Sequence, residues 1–245
     1  MKKVNVIIAS LILLGLIVGC SGSASKITMT FKPKGEIGVA LGGNGTATID
    51  WGDGSPVETV TLDPDFMRYR HSYAQSAEYT IKITGENITL FRSKNENLEA
   101  TKLILNVPTL IDLDCSNTQL TTLDVSNSTA LTKLSCSSNQ LTTLDVSKNT
   151  ALEKLDCYNN QLTSLVLNNN DALYSLDCTN NQLSTKALNA LFESLNSVSD
   201  EKALYMIGNP GADDCDRSIA EKKAWRVEVY MDDEYDMGSD EYDEG

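Results

Sequence analysis

Histidine is nearly missing from this chain: His71 is the single imidazole in 245 residues. No second histidine is present to build a dyad. There is also no G-x-S-x-G elbow and no phosphate-cradling glycine loop, so the usual residues of nucleophilic hydrolysis and nucleotide chemistry are lacking. Aromatics make up 6% of the residues, so any core must be built from stacked aliphatics, which repetitive β structure tolerates. Basic residues are outnumbered 20 to 34, for a net charge of −14, which argues against nucleic acid or an anionic membrane surface as a partner. The imbalance is uneven. Residues 232–244 carry eight acids and no base, leaving only about −6 for the rest of the chain. A long hydrophobic run is missing too: the apolar stretch from Val4 to Val18 is short for a membrane span and, behind Lys2 and Lys3, has the layout of a secretory signal.

That stretch ends in Leu16-Ile17-Val18-Gly19-Cys20, followed by Ser21-Gly22-Ser23-Ala24-Ser25. The Ile-Val-Gly-Cys run resembles the lipobox of bacterial lipoproteins. The resemblance implies cleavage before Cys20, a diacylglycerol on its sulfur and a flexible tether over 20–25. Residues 1–19 are then a lipoprotein signal peptide and Cys20 a membrane anchor. Ser21 after the cysteine is what outer-membrane sorting favours in that family. The expected location is the cell envelope, lipid-anchored in the outer membrane, with exposure at the cell surface left open.

Four segments align without gaps at a period of 21, beginning at Leu110, Leu131, Leu152 and Leu173. They share the frame L-x-x-L-x-C-x-x-N-x-L, with regular repeats over 110–193. This frame resembles the leucine-rich-repeat family, with cysteine where a third leucine usually stands. A short strand in each coil points Leu113, Leu134, Leu155 and Leu176 inward, and Cys115, Cys136, Cys157 and Cys178 two residues on point the same way. No single coil buries that face alone, so the coils must stack. The second half of each coil repeats the frame, with Val125, Val146 and Leu167 in the cysteine position. The expectation is two short strands per coil and parallel sheets on two faces.

Three columns follow from the period. Asn139, Asn160 and Asn181, with Thr118 in the first coil, are expected to satisfy turn backbone groups as a structural ladder. The four cysteines fall in a line at about 4.8 Å spacing. A line is not a tetrahedron, so they read as small apolar filler within that ladder rather than a metal site. The outward strand positions Asp112, Asp114, Lys133, Ser135, Lys154, Asp156, Ser175 and Asp177 form the candidate binding surface. Thr122, Asp124, Thr143, Asp145 and Ser164 form a second outward face. Solvation is the plain reading of both; if the domain binds anything, it does so there.

Irregular leucine-containing sequence from Ile88 to Pro108 reads as a terminal coil. After the repeats, Lys186–Ser197 reads as an amphipathic helix and Ala203–Ile207 as a strand. A Gly208-Asn209-Pro210-Gly211 turn follows. A second helix capped by Asp213 or Asp214 and running to about Trp225 comes next, and Arg226–Tyr230 reads as a last strand. The result is a mixed α/β cap continuing a parallel sheet.

Upstream, alternating strands with Ile27, Met29 and Phe31, then Ile37, Val39 and Leu41, then Ala47, Ile49 and Trp51, then Ile81 and Ile83, argue for an antiparallel sandwich. Ile49-Asp50-Trp51-Gly52-Asp53-Gly54, His71-Ser72-Tyr73 and Tyr79-Thr80-Ile81-Lys82-Ile83 resemble the PKD domain, an immunoglobulin-like module. The resemblance implies a spacer or contact surface. His71 reads as a hydrogen-bonded structural residue near the Gly-Asp-Gly turn.

The expected fold is mainly β: an immunoglobulin-like β-sandwich over 26–93, then a leucine-rich-repeat solenoid of short parallel strands with caps over 94–230. An acidic tail over 231–245 is expected to be disordered. The function read from these features is a non-catalytic binding or adhesion module that presents the repeat surface to a protein or glycan. An envelope scaffold without extracellular ligand is the alternative, and a glycan-active enzyme the remote one. No cofactor and no metal are expected.

Overall fold

The computed structural model describes residues 24–93, 98–197 and 202–228. The expected signal peptide, Cys20 and the acidic tail lie outside the described residues. Chain order begins with five strands: β1 (Ser25–Pro33), β2 (Glu36–Asp50), β3 (Glu58–Thr61), β4 (Met67–Ser72) and β5 (Tyr79–Arg92). Strand β6 (Leu98–Asn106) precedes the repeats, which contribute β7 (Asp112–Asp114), β8 (Lys133–Ser135), β9 (Lys154–Asp156) and β10 (Ser175–Asp177). Helix α1 (Thr185–Ser194), β11 (Lys202–Tyr205), α2 (Ser218–Glu221) and β12 (Trp225–Glu228) follow.

All twelve strands among the described residues belong to one hydrogen-bonded sheet, whose main path runs β12-β11-β10-β9-β8-β7-β5-β1-β6, with β2 branching from β5 and carrying β3 and β4. The N-terminal strands are therefore not divided into two separately bonded sheets, as the sandwich expectation had it. The reason lies in β2 and β5, which are 15 and 14 residues long and carry the bonding through a bend. In β2 the register slips between Gly42 and Gly43. Gly43 has φ 147°, and a Cβ there would fall 2.0 Å from the Asn87 carbonyl oxygen. Only glycine permits that bulge. Alternation places Ile27, Met29, Phe31, Ile37, Val39, Leu41, Ala47, Ile49, Trp51, Ile81 and Ile83 in the core, as a period of two requires.

Strand β5 joins two architectures. Its residues 79–85 pair antiparallel with β1, while Leu90–Arg92 pair parallel with β7. Strand β6 falls in the region read as a terminal coil but pairs antiparallel with β1. The first coil is thus seated on β5, and one continuous core runs from Ile27 to Trp225.

In the coils the central leucine of each strand and the cysteine beyond it are buried. The second half-turns make no strand, so the expected second sheet is absent among the described residues. The cause is local. The amides of Ser128 and Asn149 close tight turns onto the Val125 and Val146 carbonyls. In the first half-turn a residue in the left-handed region (φ 53° at Ser138 and at Asn159) instead keeps the amide pointing to the next coil: Ser138 N–H reaches Tyr158 O, and Asn159 N–H reaches Thr179 O.

At the C-terminus β11 and β12 continue the sheet in parallel. Helix α1 is capped by Ser184, which accepts the Ala187 amide. The second helix is a single turn rather than a run to Trp225. Residues 211–215 form turns, and Asp216, not Asp213 or Asp214, accepts the Ser218 amide.

Candidate functional site

The outward side chains of the short strands form two rows. Pairing aligns Asp112, Lys133, Lys154 and Ser175 in one and Asp114, Ser135, Asp156 and Asp177 in the other. Both rows continue past the repeats: Leu90 and Arg92 precede them on β5, and Ala203, Tyr205, Arg226 and Glu228 follow on β11 and β12. These flanking members escape a reading confined to the 21-residue frame. The parallel strand expected after the helix is the signal for the members on β11 and β12; Leu90 and Arg92 carry none.

The rows differ in chemistry. The first exposes Lys133 and half-buries Lys154. The second is acidic and progressively covered, so that Asp177 is only 2% exposed. Arg92 bonds Asp112 at 3.0 Å and lies over the Phe66 ring, 5.2 Å from its centroid. Lys154 Nζ is 3.5 Å from Asp156 Oδ2. Burial raises the affinity of Asp156 for its proton, with the charge of Lys154 opposing. Burial does the same to Asp177, against the Thr179 amide it accepts.

Behind the rows the asparagine column fixes the backbone. Asn160 Nδ2 donates to the carbonyls of Cys136 (3.0 Å) and Cys157 (3.1 Å), and Oδ1 accepts the Leu141 amide at 3.0 Å. Asn139 and Asn181 repeat the pattern one coil to either side. Thr118 ends the column, its hydroxyl donating to Cys115 O. Asn209 extends it by another coil, bonding Cys178 O, Met206 O and the Leu183 amide. It sits behind Gly208 (φ 72°), where a Cβ would fall 1.9 Å from Asn180 Oδ1. A second column, Asn149 and Asn170, runs through the other half-turns; it too keeps the 21-residue spacing.

The four coil cysteines are free, buried thiols. Cys157 and Cys178 direct S–H to carbonyls of the next strand at 3.3 and 3.4 Å. Burial pushes all four thiols up, away from reactive thiolate. Among the described residues no group of three or more His, Cys, Asp or Glu side chains is placed to hold a metal ion. His71 Nε2 lies 2.8 Å from Asp53 Oδ2, and its ring stacks on Trp51 at 4.9 Å. Ser55, whose amide Asp53 accepts, and His71 hold the Asp53 carboxyl well below the usual carboxylate range.

No family model matches the chain, and no curated protein matches it. Similar solved structures include the functional domain of InlJ from Listeria monocytogenes, described as including a cysteine ladder. It is 32% identical over 50% of this chain and 30% of that one, with a TM-score of 0.36. An internalin (inlF) from Listeria monocytogenes is 26% identical over 50% of this chain and 35% of that one, with a TM-score of 0.42. The matched part thus spans about a third of the length of those proteins.

Proposed function

We propose that this chain is a cell-envelope lipoprotein, anchored through Cys20, whose coil stack is a non-catalytic binding module for a protein or glycan partner. The observation that carries the binding role is the pair of outward rows. Lys133, Lys154, Asp114 and Asp156 stand on a backbone held coil to coil by strand bonds and the asparagine column. Such a surface loses little conformational freedom on contact, which is the cost that most erodes affinity. The basic row beside the acidic row selects by charge register. In this reading the N-terminal strands act as a PKD-like spacer between the anchor and the stack. The anchor reading draws on the Gly19-Cys20 sequence alone.

The test is direct. Envelope proteins and glycans are screened against the full chain, and the bound partner is titrated against Lys154→Ala and Asp156→Ala. Saturable binding weakened about tenfold by either change supports the proposal. Binding indifferent to every substitution in both rows overturns it. For the anchor, Cys20→Ala is expected to move the protein out of the membrane fraction; retention there counts against lipidation.

A further inference from the structure

The opposite side of each coil carries a feature that the strand face lacks. Between the second half-turns of three successive coils lies an open depression of about 380 Å³, lined by Leu123, Leu144, Asp124, Asp145, Lys148 and Val166 among others. Leu123 and Leu144 are 9% and 8% exposed, so the floor is apolar and reachable. Among the described residues no backbone hydrogen bond joins residues 122–124 to 143–145, or 143–145 to 164–166. Main-chain polar groups and the hydroxyls of Thr143 and Ser164 therefore share the walls with two carboxylates.

Charge narrows what fits. Asp124 and Asp145 each accept the amide two residues on through Oδ1, at 2.9 Å, and the serines that donate there keep both carboxyls below their ordinary range. Their fixed negative charge disfavours anions. Lys148 in the same lining disfavours a purely cationic guest. A neutral ligand rich in hydroxyls offends neither: its O–H groups donate to the carboxylates, its oxygens accept from Thr143 and Ser164, and its C–H faces rest on the leucines. The carboxylates Asp124 and Asp145 and the hydroxyls Thr143 and Ser164 each recur at one-coil spacing, so the lining suits a ligand that itself repeats. The third coil breaks the row, because Val166, 50% exposed, stands where Asp124 and Asp145 stand, and it closes the depression with an apolar wall.

We infer that this depression is a second binding site, separate from the strand face, for a short stretch of neutral oligosaccharide. The test titrates the full chain by calorimetry with neutral tetrasaccharides built from glucose, galactose, mannose or N-acetylglucosamine units, and with a lysine tetrapeptide. At least one saccharide is expected to bind. Asp145→Asn, which keeps the acceptor for Ser147, and Val166→Trp, which fills the space, are each expected to weaken it about tenfold, while Lys154→Ala leaves it unchanged. No binding by any saccharide, binding that survives both variants, or preference for the lysine peptide overturns the site. None of those outcomes bears on the strand face, whose own variants report separately.

Discussion

Leu131–Gln140 and Leu141–Ala151 share one frame, yet the first supplies a strand and the second does not. In the first half the amides look outward to the neighbouring coil, and each asparagine amide group uses both donors and its acceptor. In the second half the amides close turns within the coil. The carbonyls that Asn149 reaches, Val125 and Ser128, already accept backbone amides, and no protein donor meets Asn149 Oδ1 or Asn170 Oδ1. The first half therefore joins coils through backbone and asparagine bonds alike, while the second joins them through its asparagine side chains. A repeat can thus divide its labour: one face gives rigidity, and the other is left with open backbone and a depression.

Substitutions test this division. The largest effect is expected from Leu155→Ala, which empties a fully buried strand position and should cost about 4 kcal/mol. Leu144→Ala, at the floor of the depression, should cost about 2. Urea midpoints measure both, and equal losses would erase the distinction between the faces. Next comes the asparagine contrast. Asn160→Ala removes four bonds and strands the buried Leu141 amide, for about 3 kcal/mol, whereas Asn149→Ala leaves both carbonyls bonded and should cost about 1. Chemical denaturation at unchanged slope reads that difference.

A smaller effect, of opposite sign, concerns Asp177. Burial makes the folded state hold this proton more tightly than the unfolded chain does. Stability from this group is therefore greatest below the ordinary carboxylate value and is lost as pH rises through the folded value. Asp177→Asn keeps the acceptor for the Thr179 amide and should stabilise the protein by about 1 kcal/mol at neutral pH. The gain should vanish toward pH 4, where urea titrations at both pH values would show it; a destabilised variant at neutral pH would contradict the argument. Smallest of all is Val166→Asp, which restores the row of the first two coils at an exposed position. It should shift stability by no more than about 0.5 kcal/mol in a melting experiment.

The inward set Leu113, Leu134, Leu155 and Leu176 and the parallel strands were legible because burial imposes one chemistry at a fixed interval. So was the alternation of Ile27, Met29 and Phe31. The second half-turn misled because Leu-x-x-Leu-x-Val reports which side chains are buried, not where the amides go. That depends on the turn closing at Ser128 and Asn149, after an identical apolar pattern. Asn149, Asn170 and Asn209 bear the same spacing or local chemistry as the column of Asn139, Asn160 and Asn181. The sheet joining β5 to β7 had no local signal, since Leu90–Arg92 reads as an ordinary strand end. Of the candidate surface, the two rows followed from the period, but the covering of Asp177 by neighbouring strands did not.

The strand shared between the N-terminal sheet and the first coil has a mechanical meaning. Because β5 is bonded to β1 at one end and to β7 at the other, the N-terminal sheet and the first coil share a strand. Ser25 pairs with Gly85, beside the point where β5 leaves β1 for β7, so a pull arriving there enters the sheet next to the first coil. The same tension passes through β5 into the coils without a slack linker. Among the described residues the N-terminal strands and the coils are thus one hydrogen-bonded body, and tension entering at β1 reaches the coils through β5.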